Sequence, residues 1–271
     1  MKKDHLVHKL QQGANVYGTC VTATSPSWQI ATAGAGVDFV FIDTEHIPLD
    51  RSDLSKLCQT YVALGVTPIV RITKPDPFLA CQVIDGGAIG VVAPYLEESQ
   101  QFIDLVGAVK FRPLKGEKLH RILQGEEILS PDLDSYLKNY NRGNLFIANI
   151  ESVPAMERLD ELFTIPGLDG VFIGPHDLSV SMGLPEQYDH PEFESAVRTI
   201  IHKARANNLH VGIHFSLEPE RQVHWAREGA NIIVHSFDIA LFRQRLSHDL
   251  QLIRTTLRDS PAKNEADDLI I

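Results

Sequence analysis

No apolar run in these 271 residues approaches the roughly 20 residues needed to cross a bilayer, so no membrane span is expected. The opening residues, Met-Lys-Lys-Asp-His, lead into a polar amphipathic stretch without an apolar core, which argues against a secretory signal. Cysteine is scarce: Cys20, Cys58 and Cys81 lie far apart and form no C-x-x-C pair. Free thiols in a reducing cytoplasm are therefore expected, rather than disulfides or structural zinc. No basic cluster offsets the net charge of −10, which disfavours nucleic acid as a partner. No G-x-G-x-x-G follows the first strand-like run, which lowers the case for an open, doubly wound sheet. No linker divides the chain, and it has no internal repeat. What is present is a 44% hydrophobic composition, enough for a sizeable core in one large domain or two ordinary ones.

In chain order, apolar β-branched runs alternate with helical spacings. Strand-like runs are read at 15–23, 37–42, 67–72, 90–96, 145–150, 168–173, 211–215 and 232–234. Helical patterns are read at 5–12, 25–35, 50–65, 77–84, 98–109, 153–163, 192–209, 219–229 and 239–257, with Gly65 as a stop and Pro77 at a first position. Residues 111–140 read as an irregular insertion with turns and one short helix around Leu133 to Tyr140. Residues after Arg258 read as a charged, frayed tail. Eight strands alternating with helices over about 250 residues predict a single-domain α/β protein, a (β/α)₈ TIM barrel. Such a barrel carries its active site at the C-terminal ends of the strands.

Polar residues gather at those ends. Asn149 and Glu151 are two apart on strand five and so share a face. Asp177 follows strand six past Gly174, where the missing Cβ lets backbone approach a ligand, and the N–H groups near His176 and Asp177 suit a carboxylate. Two carboxylates with room for water suit Mg²⁺ or Mn²⁺, with Co²⁺ a further option. The plainer alternatives are a surface ion pair for Glu151 and a helix N-cap for Asp177. Asp43, Glu45 and His46 end strand two. A histidine beside carboxylates is a candidate general base, its neighbours raising its pKa and fixing its tautomer, or else a loop histidine. Arg71 in strand three needs either an ion pair with Asp43 or Glu45 or a substrate oxyanion. Asp85 falls between helix and strand at the opposite rim, where it caps structure or serves a neighbouring subunit. His214 and His235 line the mouth or pack in the core, the second being the commoner fate.

The segments Phe-Ile-Asp43-Thr-Glu45-His46, Val-Arg71-Ile, Ile-Asp85-Gly-Gly-Ala, Ile-Glu151-Ser and Gly-Val-Phe-Ile-Gly174-Pro-His176-Asp177-Leu-Ser-Val-Ser-Met-Gly resemble the HpcH/HpaI aldolase family, class II metal-dependent pyruvate aldolases. The resemblance runs from about residue 10 to 255. It implies a (β/α)₈ barrel in which Glu151 and Asp177 bind the metal, His46 acts as base, Arg71 stabilises the oxyanion and Asp85 tunes the base. It also implies a homo-oligomer, a hexamer built as a trimer of dimers, with the last helix exchanged between subunits. The chain departs from that family at Asn149, where Gln is usual, at His176, where a small residue is usual, and across residues 111–140.

The expected activity is reversible cleavage of a 4-hydroxy-2-oxo acid to pyruvate and an aldehyde by a cytoplasmic enzyme. No strand end carries an obvious Schiff-base lysine, which disfavours the metal-free route. The alternatives are a CoA-ester lyase of the citramalyl or malyl type, an oxaloacetate decarboxylase, or a non-catalytic metabolite-binding barrel.

Overall fold

Apolar runs short enough to be strands, separated by helices that cover them, close on themselves in the computed structural model, which describes residues 4–215 and 219–259. The strands are β1 (Val16–Val21), β2 (Phe39–Asp43), β3 (Thr67–Arg71), β4 (Gly90–Ala93), β5 (Leu145–Ile150), β6 (Gly170–Ile173), β7 (His210–Phe215) and β8 (Ile232–Phe237). They pair in parallel, in sequence order, and β8 returns to β1, giving a closed (β/α)₈ barrel. The helices are α1 (Asp4–Gln11), α2 (Pro26–Gly34), α3 (Arg51–Leu64), α4 (Pro77–Asp85), α5 (Ser99–Lys110), α6 (Gly116–Leu123), α7 (Pro131–Tyr140), α8 (Val153–Glu157), α9 (Leu159–Leu162), α10 (Pro175–Ser181), α11 (Pro191–Ala206), α12 (Pro219–Glu228) and α13 (Asp238–Leu257). Proline opens α2, α4, α7, α10 and α11, where its fixed φ suits a helix and its missing N–H is no loss. Asp50 caps α3 by accepting from the Asp53 N–H at 2.8 Å, and Gly65 ends that helix at φ 88°, as its position predicts.

Side chains alternate across each strand, so one set fills the barrel. Phe39, Phe41, Ile69, Ile147, Phe172 and Val234 form this interior, and Leu6 and Leu10 of α1 join the same cluster. The rings fit because facing positions are glycine. A Cβ on Gly18 would lie 2.6 Å from the Phe39 ring, and one on Gly212 2.5 Å from Phe172. Phe41 stacks on Phe172 with centroids 5.3 Å apart. Two residues beyond this apolar layer, on the same inward faces, stand Asp43, Arg71, Asn149, Gly174 and His214. Period-two geometry thus turns the core into a polar mouth at the C-terminal ends of the strands.

Several segments differ from expectation. Residues 111–140 hold two helices, α6 and α7, rather than one. A Cβ on Gly107 of α5 would meet Leu123 at 2.7 Å and Leu119 at 3.5 Å, so α6 anchors two leucines on α5; its charged neighbours mask that short stripe. The 153–163 pattern breaks at Arg158 into α8 and α9. Strand β4 stops at Ala93, before Pro94 and a left-handed Tyr95, while β8 runs on to Phe237. Helix α10, inserted after β6, starts at Pro175, ahead of the Asp177 that the N-cap alternative placed before a helix. Apart from Arg258 and Asp259, the tail lies outside the described residues. Among the described residues, no helix is long and apolar enough to cross a membrane.

Candidate active site

Glu151 leaves the end of β5 and is almost buried. It accepts the Tyr95 backbone N–H at 2.7 Å and the Asn149 side-chain amide at 2.6 Å. Neither partner is a helix charge, so the surface ion-pair alternative does not describe it. Burial raises its pKa, and the charges of Asp177 and Glu45 add to that rise. Asp177 sits in the first turn of α10, whose N-cap is Gly174, so it is not a cap either. A Cβ built on Gly174 would lie 3.1 Å from Oε2 of Glu151 and 3.7 Å from Oδ2 of Asp177. The glycine therefore leaves open the space between the two carboxylates.

These oxygens fit a hard divalent cation. Among the described residues, no group of three or more His, Cys, Asp or Glu side chains could hold an ion alone. Glu151 and Asp177 would supply two carboxylates, with water and substrate completing the shell, which is the usual arrangement for Mg²⁺. Asn149 is 1% exposed, and its Oδ1 has no hydrogen-bond partner while its Nδ2 holds Glu151. That buried acceptor faces the same side of β5 as Glu151.

Across the mouth, Asp43 grips Arg71 through Nε at 2.9 Å and Nη2 at 2.5 Å. Glu45 stands 3.2 Å from Nε of the same guanidinium. Burial alone would raise the Asp43 pKa, but the hydrogen bonds and charge of Arg71 outweigh it and hold the carboxyl below its usual range. Arg71 also lies over the Phe41 ring, 5.7 Å from its centroid. The structure thus shows the ion pair expected of Arg71, and the charge of Glu151 also acts on the same guanidinium.

His46 sits on the bend after β2, its N–H donating to Asp43 at 3.4 Å and its side chain exposed. Among the described residues, no partner fixes its ring tautomer; Asp43 and Glu45, expected in that role, are committed to Arg71. His176 is exposed and turns to Glu186, Nε2 to Oε1 3.6 Å. Asp85 ends α4, at the N-terminal end of the barrel, where it pairs with Arg112, so it stands apart from the other site residues.

Two neighbours were not singled out as catalytic from sequence. Tyr95 follows β4 and touches the site through both backbone and hydroxyl. His214 follows Gly212 on the inward face of β7, and its Nε2 donates to the Ser236 carbonyl at 3.1 Å. Burial lowers its pKa to about 4. A position two beyond an inward glycine was the signal for His214. The left-handed backbone of Tyr95 left no signal.

The model of the HpcH/HpaI aldolase/citrate lyase family matches residues 17–244. A 2-keto-3-deoxy-L-rhamnonate aldolase of Salmonella gallinarum (strain 287/91 / NCTC 13346) is 28% identical over 258 residues, covering 94% of each chain. Among solved structures, citrate synthase SbnG is 28% identical with a TM-score of 0.80, over 94% of this chain and 99% of that one. The HpcH/HpaI aldolase of Desulfitobacterium hafniense DCB-2 shares the fold at a TM-score of 0.79 and 24% identity, over 92% of this chain and 96% of that one.

Proposed function

The chain belongs to the HpcH/HpaI aldolase/citrate lyase family, and on that premise we propose that it reversibly cleaves a 4-hydroxy-2-oxo acid to pyruvate and an aldehyde. It is a carbon–carbon lyase of the aldolase kind. The observation that carries the substrate class is the pair Glu151 and Asp177 flanking Gly174, opposite the Arg71 guanidinium. Relatives named 2-keto-3-deoxy-L-rhamnonate aldolase favour a 2-oxo acid with a hydroxylated tail.

A divalent cation held by Glu151 and Asp177, Mg²⁺ or Mn²⁺, would supply Lewis acidity toward the 2-oxo acid. Asn149 orients Glu151 for that task. Arg71, locked by Asp43, stabilises the negative charge that develops on the keto oxygen as the C3–C4 bond breaks. His46, on the same rim, takes the proton of the C4 hydroxyl. The electron pair of the broken bond passes into the pyruvate enolate, which is then protonated at C3.

Asp85 reaches no active site of its own barrel, so its part as an acid belongs to a neighbouring copy. A homo-oligomer, a hexamer with α13 exchanged, fits the apolar row of α13. Phe242, Leu246, Leu250, Ile253 and Leu257 are exposed along it in the single chain. The free thiols of Cys20, Cys58 and Cys81 suit a cytoplasmic location.

A second reading is favoured by the 28% identity to a citrate synthase. The same enolate chemistry serves an oxaloacetate decarboxylase or a CoA-ester lyase, although a net charge of −10 does not favour a groove for nucleotide phosphates. Pyruvate release over a panel of 4-hydroxy-2-oxo acids, including 2-keto-3-deoxy-L-rhamnonate, with Mg²⁺, Mn²⁺ and Co²⁺, tests the assignment. Cleavage of at least one member, lost in Glu151→Ala, is expected. A silent panel with Mn²⁺ binding intact would overturn it in favour of a non-catalytic barrel.

A further inference from the structure

Tyr95 follows Pro94 at the mouth of β4 with φ 56°, a left-handed conformation that an aromatic residue rarely takes. Such a backbone persists only where its surroundings hold it, and here a metal-side carboxylate does so. The Tyr95 N–H donates to Oε1 of Glu151 at 2.7 Å. Its hydroxyl interacts with the Glu45 carboxylate, which itself stands 3.2 Å from Nε of Arg71. One residue thus spans the cation side and the guanidinium side of the site. Tyr95 is 58% exposed, whereas Phe41 and Phe172 are buried beneath the mouth. An exposed ring held in a costly conformation is poorly explained as packing.

With the oxo-acid head assigned to Glu151, Asp177 and Arg71, the aldehyde half of the substrate is left on the solvent side, where Tyr95 stands. We propose that Tyr95 is a further catalytic residue whose phenol O–H turns from Glu45 to donate a hydrogen bond to the C4 oxygen of the substrate. This rests on the aldolase reading above. During cleavage the C4 hydroxyl proton goes to the base, the C3–C4 electron pair goes to the enolate, and the C4 oxygen becomes the aldehyde carbonyl. Tyr95 donates without giving up its proton. A phenol, with an ordinary pKa of about 10, keeps its proton at neutral pH.

The test separates the two halves of the reaction. Pyruvate alone, in deuterated water with Mn²⁺, exchanges its methyl hydrogens whenever the enolate forms, with no aldehyde involved. Cleavage of the 4-hydroxy-2-oxo acid that the wild-type protein turns over fastest involves both halves. Tyr95→Phe should lower kcat/KM for cleavage about tenfold or more, the loss expected for one donor to developing charge, and leave exchange almost unchanged. Tyr95→Gly, which suits the positive φ and keeps the amide on Glu151, should match it in cleavage. Equal activity of Tyr95→Phe and wild type in both assays would overturn the proposal. So would a parallel loss in both with Mn²⁺ binding intact, which would mark a structural role. Absence of both activities in the wild-type protein would instead remove the aldolase reading, and this inference with it.

Discussion

The Cα of Gly174 faces Glu151 so closely that a Cβ there would lie 3.1 Å from both Cβ and Oε2 of that carboxylate. Glu151 cannot swing aside freely, because Tyr95 and Asn149 hold its two oxygens. The space above Gly174 is therefore kept open between two negative charges, and burial makes the charge on Glu151 costly. A cation in that space relieves the cost.

Gly174→Ala should fill the space without straining the backbone, since φ at this residue is −86°. Mn²⁺ affinity is expected to fall about tenfold, a loss of about 1.4 kcal/mol, measured by titration calorimetry. The melting temperature should move by less than about 4 °C. Unchanged Mn²⁺ affinity would show that the gap is not the cation's place.

Asp43 and Arg71 form a nearly buried pair, 4% and 13% exposed at their side chains. Asp43→Asn leaves the guanidinium with Glu45 as its nearest charge partner, and should cost about 3 kcal/mol in denaturant unfolding. The pair also sets an acid limit. Asp43 has a lower pKa folded than unfolded, so its contribution is full above the unfolded carboxylate value. It is lost as the pH falls through the folded value, below about pH 4. The denaturant midpoint of Asp43→Asn should show less of this loss than that of the wild type.

His214 behaves oppositely to a surface histidine. Burial lowers its pKa from 6.5 to about 4, and the Ser236 carbonyl takes its Nε2 proton in a hydrogen bond. The unfolded chain binds a proton there near pH 6.5 and the folded chain only near pH 4. Stability from this group is thus complete above pH 6.5 and falls as the pH drops toward about 4. Imidazole resonances in an NMR titration should show His214 neutral at pH 5.5. A midpoint near 6.5 would contradict the packing described here.

The barrel was legible because its strands carry little but apolar, β-branched residues and because proline and glycine mark helix ends. The rim position of Asp43, Arg71, Asn149 and Glu151 followed from strand periodicity, and that of Asp177 from the Gly174-Pro175 turn after β6. Other features depend on contacts between distant segments. The strain at Tyr95 exists because Glu151, 56 residues away, takes its amide. Leu119 and Leu123 of α6 pack against α5 only because Gly107 leaves a shallow surface there. The exposed position of the His46 ring goes with an Asp43 carboxylate that is turned to Arg71 from a strand 28 residues on. None of these is written in a local pattern.

The most direct test of the proposed metal centre is pyruvate release after exhaustive chelation. Chelated protein should release none, and added Mn²⁺ or Mg²⁺ should restore the rate in the wild type but not in Glu151→Ala. Full pyruvate release from the chelated protein would contradict the assignment of Glu151 and Asp177 as the centre of the site.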